Sequence, residues 1–456
     1  MERRAQAGWQ AAGAVVGVSM HALTEQVAAR TRQLAAEIRA SRGAHALREG
    51  SGRGMVVVAG GERVFTNAYV LLHMLRHALH CSLPVELWCF GASEVSPAMA
   101  ALLEPLGTRL VDATPLIAAA GASIRDGWQL KAFALAHCGF AEVLLLDADQ
   151  VPVVDPAICF DWPQYQQAGA AFWPDAIDLR RDNAIWSLLG LTPRRQVSLD
   201  SGQLLVDRRR HRPALAAAQR LNEAADDIYQ IVYGDKDTFL LAWEMIGADH
   251  VLLPHRPYRD EWMLVQRDFE GAPVFQHRTN SKWEYGGKPQ SIPGFVHEAA
   301  CRAALAELEE RWSGDLFIPP KRSASALRLE EELLAGGPFV LEAGEAPAIP
   351  LELRPYAEIG IGRAGDRRHW WVEADDAGAR LILTGGEHRS YVLELGPDHL
   401  WTGYRYRAPV VPSCLMPAAR GEAIRPAEAT PPSTSPWRIQ RALDLVSAYV
   451  PAELEE

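Results

Sequence analysis

The chain has no excess of positive charge. Its 456 residues include 46 lysines and arginines against 57 aspartates and glutamates, which gives a formal net charge of −11. A protein that binds nucleic acid needs a basic footprint for the phosphates. We therefore expect no nucleic-acid partner, and a phosphorylated ligand would have to rely on a metal ion or on a local basic group.

The sequence has few cysteines, and their spacing matches no paired-cysteine motif. The six cysteines form no C-x-x-C motif, and none lies at zinc-site spacing from a histidine. Isolated thiols of this kind are typical of a reducing compartment. We predict that the cysteines are reduced and mostly buried.

Long hydrophobic runs are also missing. Residues 9–23 are mildly apolar, but this stretch is too short and too rich in Gly and Ala to span a bilayer. As a secretory signal it has a weak apolar centre and no clean cleavage site after it. The sequence therefore predicts no transmembrane segment and a cytoplasmic location.

The chain is organised around one short stretch at 143–152. An apolar run there ends in Asp147 and Asp149, and Pro152 follows. Such a run, bounded by a turn signal, predicts a buried strand. In an extended chain, residues two apart point the same way, so both carboxylates would meet beyond the strand's carboxyl end. Two hard oxygen ligands suit Mn²⁺ or Mg²⁺. Taken alone, the pair could equally be two solvated acids in a turn.

Strands and helices alternate around this stretch. The β-branched run 55–58, followed by Gly60 and Gly61, predicts a first strand and a tight turn where the backbone can approach a ligand closely. The turn is not a G-x-G-x-x-G dinucleotide fingerprint. Helical and strand patterns then alternate to about residue 312, which predicts an α/β domain with a mostly parallel sheet and helices on both faces.

The composition divides the chain into four parts. Residues 1–50 predict a helical appendage, and 51–335 predict the α/β domain. Short alternating runs separated by Gly and Asp predict a small all-β module at 336–415. Residues 416–456 contain a Pro/Ser/Thr linker and then a pattern typical of a terminal amphipathic helix at 437–449.

Three further polar residues fit a phosphate or metal site. Lys131, on the helix before the Asp147 strand, could bind a diphosphate or a sugar hydroxyl as a point charge. His277, at the end of a later strand, could complete the metal's protein ligands. Lys282, five residues further on, could lie on a phosphate. The alternatives are a solvated helix lysine for Lys131 and a loop histidine for His277.

The ordered motifs resemble a known family. They are Gly60-Gly61 with Asn67, 84–88, Lys131, 146–149, 172–175, 201–203 and 234–239. Over about 55–300 this set is similar to the fungal α-mannosyltransferases, which include Golgi α-1,2- and α-1,3-enzymes. More widely, it resembles retaining GT-A glycosyltransferases such as the glycogenin and galactosyltransferase group. The resemblance implies a Rossmann-related GT-A-like fold, a nucleoside-diphosphate sugar donor (GDP- or UDP-hexose), a divalent metal held by the D-x-D, and transfer with retention. Mannose is favoured, with glucose or galactose possible, and the acceptor is a glycan, lipid-linked or small-molecule hydroxyl.

The resemblance also suggests roles for single residues. The metal ligands would be Asp147, Asp149 and His277. Asp147 could instead face the ribose or sugar, and Lys282 would neutralise the diphosphate. Most of the remaining residues have both a functional and a structural interpretation: Asp200 as nucleophile or turn cap, Gln203 as its polar neighbour, Asp237 as a sugar or acceptor contact or, like Asp235, a helix cap, Asp175 as a wall of the sugar pocket, and Trp173 as a wall of that pocket or a core residue.

Two other functions fit the sequence less well. A sugar nucleotidyltransferase also uses carboxylates and a metal. It would normally carry a Gly-rich phosphate loop with a basic residue, and residues 60–63 match such a loop only weakly. The other alternative is a carbohydrate-binding protein whose α/β domain is degenerate. The presence of both acids together with Lys131 and His277 argues against a degenerate site.

Overall fold

The computed structural model describes residues 24–41, 47–385, 389–406 and 411–417. These residues form two compact units. The first runs to Lys321 and includes 354–360, and the second contains 322–353 and the residues from 361 onward. The predicted linker and terminal helix lie outside the described residues. Within the described ranges, no helix is both long and apolar enough to cross a bilayer.

The strands of the first unit follow the predicted alternation. They are β1 Arg53–Val58, β2 Val85–Cys89, β3 Thr108–Asp112, β4 Glu142–Asp147, β5 Gln150–Pro152, β6 Ala170–Leu179, β7 Gln196–Asp207, β8 Val251–Leu252, β9 Tyr258–Arg259, β10 Leu264–Arg267 and β11 Pro273–His277. The main sheet has the order β3-β2-β1-β4-β7-β6-β8, and only β7 runs antiparallel to its neighbours. A second, antiparallel sheet has the order β5-β11-β10-β9.

Helices cover both faces of the main sheet. In chain order they are α1 Glu25–Ser41, α2 Gly61–His73, α3 Pro97–Leu103, α4 Thr114–Ala120, α5 Gly127–His137, α6 Pro163–Ala168, α7 Ile185–Leu188, α8 Arg212–Glu223, α9 Ala225–Ile228, α10 Lys236–Ile246 and α11 Glu298–Arg311. Helices α5, α8 and α10 share one apolar core with the sheet. Helices α2, α3 and α11, together with the second sheet, share the core on the opposite face. The predicted fold class is confirmed.

Local sequence explains several of these boundaries. Ser96 caps α3, since its hydroxyl accepts from the Met99 amide and Pro97 occupies the first helical position. The apolar spacing at 67–80 predicts a helix; α2 begins earlier, at Gly61, and a short π-helix, Met74–Ala78, continues it. Helix α1 buries Val27, Ala35 and Ile38 on one face, as its apolar spacing predicts.

The second unit is built on one antiparallel sheet. Helix α12 Ala324–Gly336 precedes strands β12 Phe339–Ala343, β13 Ile349–Leu351, β14 His369–Asp375, β15 Gly378–Thr384, β16 Arg389–Leu395, β17 Trp401–Arg405 and β18 Val411–Pro417. The strand order is β13-β12-β18-β17-β16-β15-β14. The predicted β-rich character of this region is confirmed, whereas α12 was not predicted.

Candidate active site

Two acids lie where the main sheet passes into the second sheet. Strand β4 ends at Asp147, the chain turns at Ala148 and Asp149, and β5 begins at Gln150. The Asp149 side chain is 9% exposed and that of Asp147 is 21% exposed. The two carboxylates converge as predicted. The reason is a turn, however, and not the alternation of a continuous strand.

His277 completes a group of three ligand-type side chains. It ends β11 and lies opposite Gln150 of β5, so strand pairing brings its ring beside Asp149. Its Nε2 is 3.2 Å from Asp149 Oδ1. Ligand atoms of Asp147, Asp149 and His277 all lie within 4.8 Å of one another. Two carboxylates and an imidazole are a donor set that Mn²⁺ accepts.

A lysine is paired with each acid. Lys131 Nζ lies 2.8 Å from Asp147 Oδ1 and 3.3 Å from Asp235 Oδ2. Burial alone would lower the pKa of Lys131, but these two carboxylates raise it above its ordinary value. Lys282 contacts the Asp149 carboxylate, and burial lowers the pKa of its ammonium group. Both lysines predicted as donor-binding are therefore at the site.

The local charge is negative in spite of these lysines. Four carboxylates face two ammonium groups across the described part of the site; the acids are Asp147, Asp149, Asp200 and Asp235, and the bases are Lys131 and Lys282. Carboxylates this close stabilise a bound divalent cation and are otherwise costly to bury. The residues present therefore fit a divalent metal ion.

Asp200 lies within β7, which begins at Gln196, and not on a turn before the strand as predicted. Its Oδ1 accepts from the Gly202 amide at 3.0 Å. Its Oδ2 accepts from Gln266 Nε2 at 2.8 Å and from Gln203 Nε2 at 3.1 Å. The bond from the Gly202 amide is of the kind by which an Asp side chain caps a local turn, and the two glutamine amides hold the same carboxylate within the sheet.

Asp200 and His277 are also electrostatically coupled. Asp200 Oδ1 is 3.9 Å from His277 Nδ1. Burial would raise the pKa of Asp200, but His277 and the amide donors lower it below its ordinary value. Burial would lower the pKa of His277, but Asp200 raises it. A carboxylate behind a metal-ligating imidazole fixes the orientation of the ring.

Two glutamines were missed by the sequence analysis. Gln150 donates from Nε2 to Gln203 Oε1 at 2.8 Å, and Gln266 donates to Asp200 and to the Pro174 carbonyl. Both side chains are fully buried. Gln150 follows the D-x-D directly, which is the only local signal for it. Gln266 has none, because its strand is distant in sequence.

The other predicted pocket residues are further from the metal ligands. Asp237 accepts from the Ser198 hydroxyl at 2.7 Å and from the Leu199 amide at 3.0 Å, so it supports β7 from behind. Burial raises the pKa of Asp237. Both of these bonds join α10 to β7, so the side chain ties the helix to the strand.

Asp175 and Trp173 differ in their access to solvent. Asp175 is only partly buried, and its Oδ2 pairs with Lys236 Nζ at 2.6 Å. Trp173 is completely buried, and its Nε1 donates to the Arg267 carbonyl. Of the two interpretations of Trp173, its burial supports the core residue and not the wall of a sugar pocket.

The glycine turn after β1 lies where predicted, and its backbone packs closely against the Glu94 side chain. A Cβ on Gly60 would lie 2.2 Å from Glu94 Oε2. Gly61 has a φ of +68°, which favours glycine. This turn begins α2 at the carboxyl end of β1, beside Asp147 in the register of the sheet.

The loop that carries Lys282 is held rigidly. Asn67 binds both the amide and the carbonyl of Trp283 at 2.9 Å. The Arg278 guanidinium is fully buried, donates to the Gln290 carbonyl and lies 4.0 Å from the Trp283 ring centroid. The ammonium group is therefore presented by a fixed backbone.

The family comparison covers the part of this site that lies before residue 259. A mannosyltransferase family model matches residues 52–194 and 191–258, which include both acids of the D-x-D and all of β7. Residues 52–258, called the mannosyltransferase region below, are similar to this family. The resemblance inferred from the sequence motifs is thereby confirmed.

Curated relatives of the mannosyltransferase region are fungal. The α-1,2-mannosyltransferase MNN22 of Candida albicans is 25% identical over 160 residues, covering 26% of this chain and 27% of that protein. The α-1,2-mannosyltransferase MNN2 of Saccharomyces cerevisiae is 24% identical over 201 residues, covering 33% and 32%. The chain thus spans about a third of the length of the curated relatives it matches.

Solved structures similar to the mannosyltransferase region are glycosyltransferases. The mannosyltransferase Ktr4p of S. cerevisiae, solved with GDP, gives a TM-score of 0.33 at 9% identity and covers 63% of this chain and 92% of that one. The galactosyltransferase LgtC, solved with donor and acceptor sugar analogues, gives 0.32 at 16% identity and covers 43% and 73%.

Proposed function

We propose that this protein is a metal-dependent retaining glycosyltransferase. It moves a hexose from a nucleoside-diphosphate sugar to a hydroxyl acceptor. The observation that carries the proposal is the convergence of Asp147, Asp149 and His277 within a region of the mannosyltransferase family. Mannose is the favoured sugar, because the curated relatives are named α-1,2-mannosyltransferases. GDP-mannose is accordingly the first donor to test.

Asp147, Asp149 and His277 would hold the divalent ion, Mn²⁺ or Mg²⁺. When bound, the ion supplies Lewis-acid stabilisation of the departing diphosphate. The Lys282 ammonium group, which contacts the Asp149 carboxylate in this structure, would bind a diphosphate oxygen. Because Asn67 and Arg278 fix its loop, this cation is positioned before the donor arrives.

Lys131 has a different role in this proposal. Its ammonium is buried between Asp147 and Asp235 and donates to Ser201 Oγ at 3.4 Å. It would fix the orientation of Asp147 and leave that carboxylate's other oxygen for the ion or for a donor hydroxyl. The closeness of Ser201 ties this lysine to β7, where the transferred sugar would lie.

Retention requires either a carboxylate nucleophile or attack on the same face from which the diphosphate leaves. Asp200 is the carboxylate nearest to His277 on β7, but both its oxygens accept hydrogen bonds from amides. Such an oxygen pair is a poor nucleophile and a good stabiliser of nearby positive charge. We therefore favour same-face attack, with Asp200 stabilising the cationic sugar and orienting His277.

Product analysis tests the proposal. The purified protein is incubated with GDP-mannose, UDP-glucose or UDP-galactose and Mn²⁺, and nucleotides are separated by chromatography. We expect release of nucleoside diphosphate that EDTA stops and that Asp149→Asn abolishes. The matched control is Asp182→Asn, an exposed acid paired with Arg180, which should retain activity. Release of pyrophosphate would instead indicate nucleotidyl transfer, and full activity in EDTA would contradict the metal site.

A further inference from the structure

Two exposed aromatic rings lie at the edge of the site. Trp128 is 48% exposed and Tyr233 is 58% exposed, and their ring centroids are 6.3 Å apart. Of the tryptophans in the described ranges, Trp128 is the one that is largely exposed. Two large rings exposed side by side offer a flat apolar surface on which a ligand can stack. We call this pair the aromatic rim.

The aromatic rim is rigid. Trp128 lies in the first turn of α5, and the Tyr229 ring packs edge-on against it at 6.1 Å. Gly234 has a φ of +63°, and a Cβ there would lie 3.3 Å from the Trp128 ring. Lys236 Nζ lies 5.5 Å from the Tyr233 centroid. Rings that are already fixed lose little conformational entropy when a ligand binds.

Short covalent paths connect the rim to the site. Trp128 and Lys131 are three residues apart on α5, so they share one face of the helix. Tyr233 precedes Asp235 by two residues, and Asp235 pairs with Lys131. Lys236 reaches in the other direction and pairs with Asp175 of β6. The loop 233–236 therefore runs past the ends of the strands that carry the site.

The rim lies on the opposite face of the main sheet from His277 and Lys282. His277 and Lys282 belong to the second sheet and its following loop, which pack on one face. The rim is carried by α5 and by the loop before α10, which pack on the other face. Lys131 and the rim are therefore carried by elements on one face of the main sheet, and Lys282 by a loop on the other.

We propose that the aromatic rim binds a pyranose ring of a glycan acceptor by stacking. The C–H groups on one face of a pyranose carry partial positive charge, and the faces of Trp and Tyr rings carry partial negative charge. An acceptor sugar stacked there would direct a hydroxyl toward β7. This inference rests on the proposed function, and it selects a glycan from the possible hydroxyl acceptors.

Kinetics with a defined acceptor test the inference. The probe is α-1,2-mannobiose with GDP-mannose as donor, compared among the wild type, Trp128→Ala, Trp128→Phe and Tyr233→Ala. We expect the acceptor KM to rise about tenfold in the alanine variants, with partial recovery in Trp128→Phe. Donor KM and acceptor-free hydrolysis should stay within about twofold of the wild type. The control is Tyr356→Ala, an equally exposed tyrosine in the segment 354–360.

A binding measurement separates this inference from the proposed function. Tryptophan fluorescence is recorded during titration with α-1,2-mannobiose in the absence of donor. We expect the tryptophan fluorescence to change saturably with sugar concentration in the wild type and in Tyr356→Ala. This change should be lost in Trp128→Phe. If this change occurs although no sugar nucleotide is cleaved, the rim is supported and the proposed function is not.

Two results would overturn the rim proposal. One is an unchanged acceptor KM in both alanine variants while acceptor-free hydrolysis persists in the wild type. The other is a tenfold rise in donor KM in Trp128→Ala, which would assign the ring to the nucleobase instead.

Discussion

Replacing Asp149 by Asn gives the sharpest test of the metal site. Asp149 Oδ1 is 3.2 Å from His277 Nε2, and its other oxygen contacts Lys282. Its backbone carbonyl accepts from the Arg278 amide, a bond that the substitution leaves in place. Asn keeps the size of the side chain and removes one negative charge from the ligand group, so the expected loss is of metal affinity rather than of fold.

The size of the effect follows from mass action. A ligand at one hundred times its Kd stabilises the folded state by about 2.7 kcal/mol. If the substitution weakens Mn²⁺ binding about a hundredfold, the same concentration contributes only about 0.4 kcal/mol. For a unit of this size the first value corresponds to a rise in Tm of roughly 3–5 °C, and the second to less than about 1 °C.

Thermal unfolding with Mn²⁺ or with EDTA measures this difference without any assay of turnover. The wild type and the surface variant Asp182→Asn should both gain stability on adding Mn²⁺, whereas Asp149→Asn should not. The reasoning is refuted if Asp149→Asn shows the full Mn²⁺-dependent shift. It is also refuted if the wild type shows none at millimolar Mn²⁺.

Three further predictions concern the surroundings of the site. Lys131→Met should lower the free energy of unfolding by about 3 kcal/mol in urea titrations, because Asp147 and Asp235 lose their shared cation. Adding Asp235→Asn should restore part of the loss, and an unchanged urea midpoint in Lys131→Met would contradict the pairing. Gly202→Ala should reduce donor turnover roughly a hundredfold with little change in Tm, because the new Cβ would lie 2.5 Å from Gln150 Nε2; near-normal turnover would show that the amide moves freely. Burial raises the pKa of the thiols of all five cysteines of the first unit, so Ellman's reagent should modify them only after unfolding, and rapid labelling of the native protein would count against this packing.

The fold was largely predictable because its signals are local. Short β-branched runs, helical spacing and glycine turns recur along the first 312 residues, and they specify strands and helices without reference to distant contacts. The errors are of two kinds. Helix α2 begins six residues earlier than expected, because Gly61 can start a helix directly after a strand. Helix α12 was missed in the region assigned to β structure.

The site was predictable only in part, because its pairings are long-range. The positions of Asp147, Asp149 and His277 follow from strand ends, which the sequence marks. The salt bridge between Lys131 and Asp235 joins two helix starts separated by about a hundred residues. No local pattern indicates that pairing. Asp235 was accordingly interpreted as a helix cap, and it makes no such side-chain bond.

A bulge in β7 explains why the residues around Asp200 were misassigned. Phe172 pairs with Leu204 and Trp173 with Asp200, so three extra residues of β7 lie opposite a single step of β6. Simple alternation would place Asp200 and Gln203 on opposite faces, yet their side chains are hydrogen-bonded.

The bulge also accounts for the glycine at its centre. A Cβ on Gly202 would lie 2.5 Å from Gln150 Nε2 and 3.0 Å from His277 Nδ1. The missing side chain is what allows these two groups to approach Asp200. The Asp200 carboxylate is therefore held beside the His277 ring by the bulge, by Gly202 and by the buried amides together. The two-residue periodicity of a strand cannot reveal this arrangement.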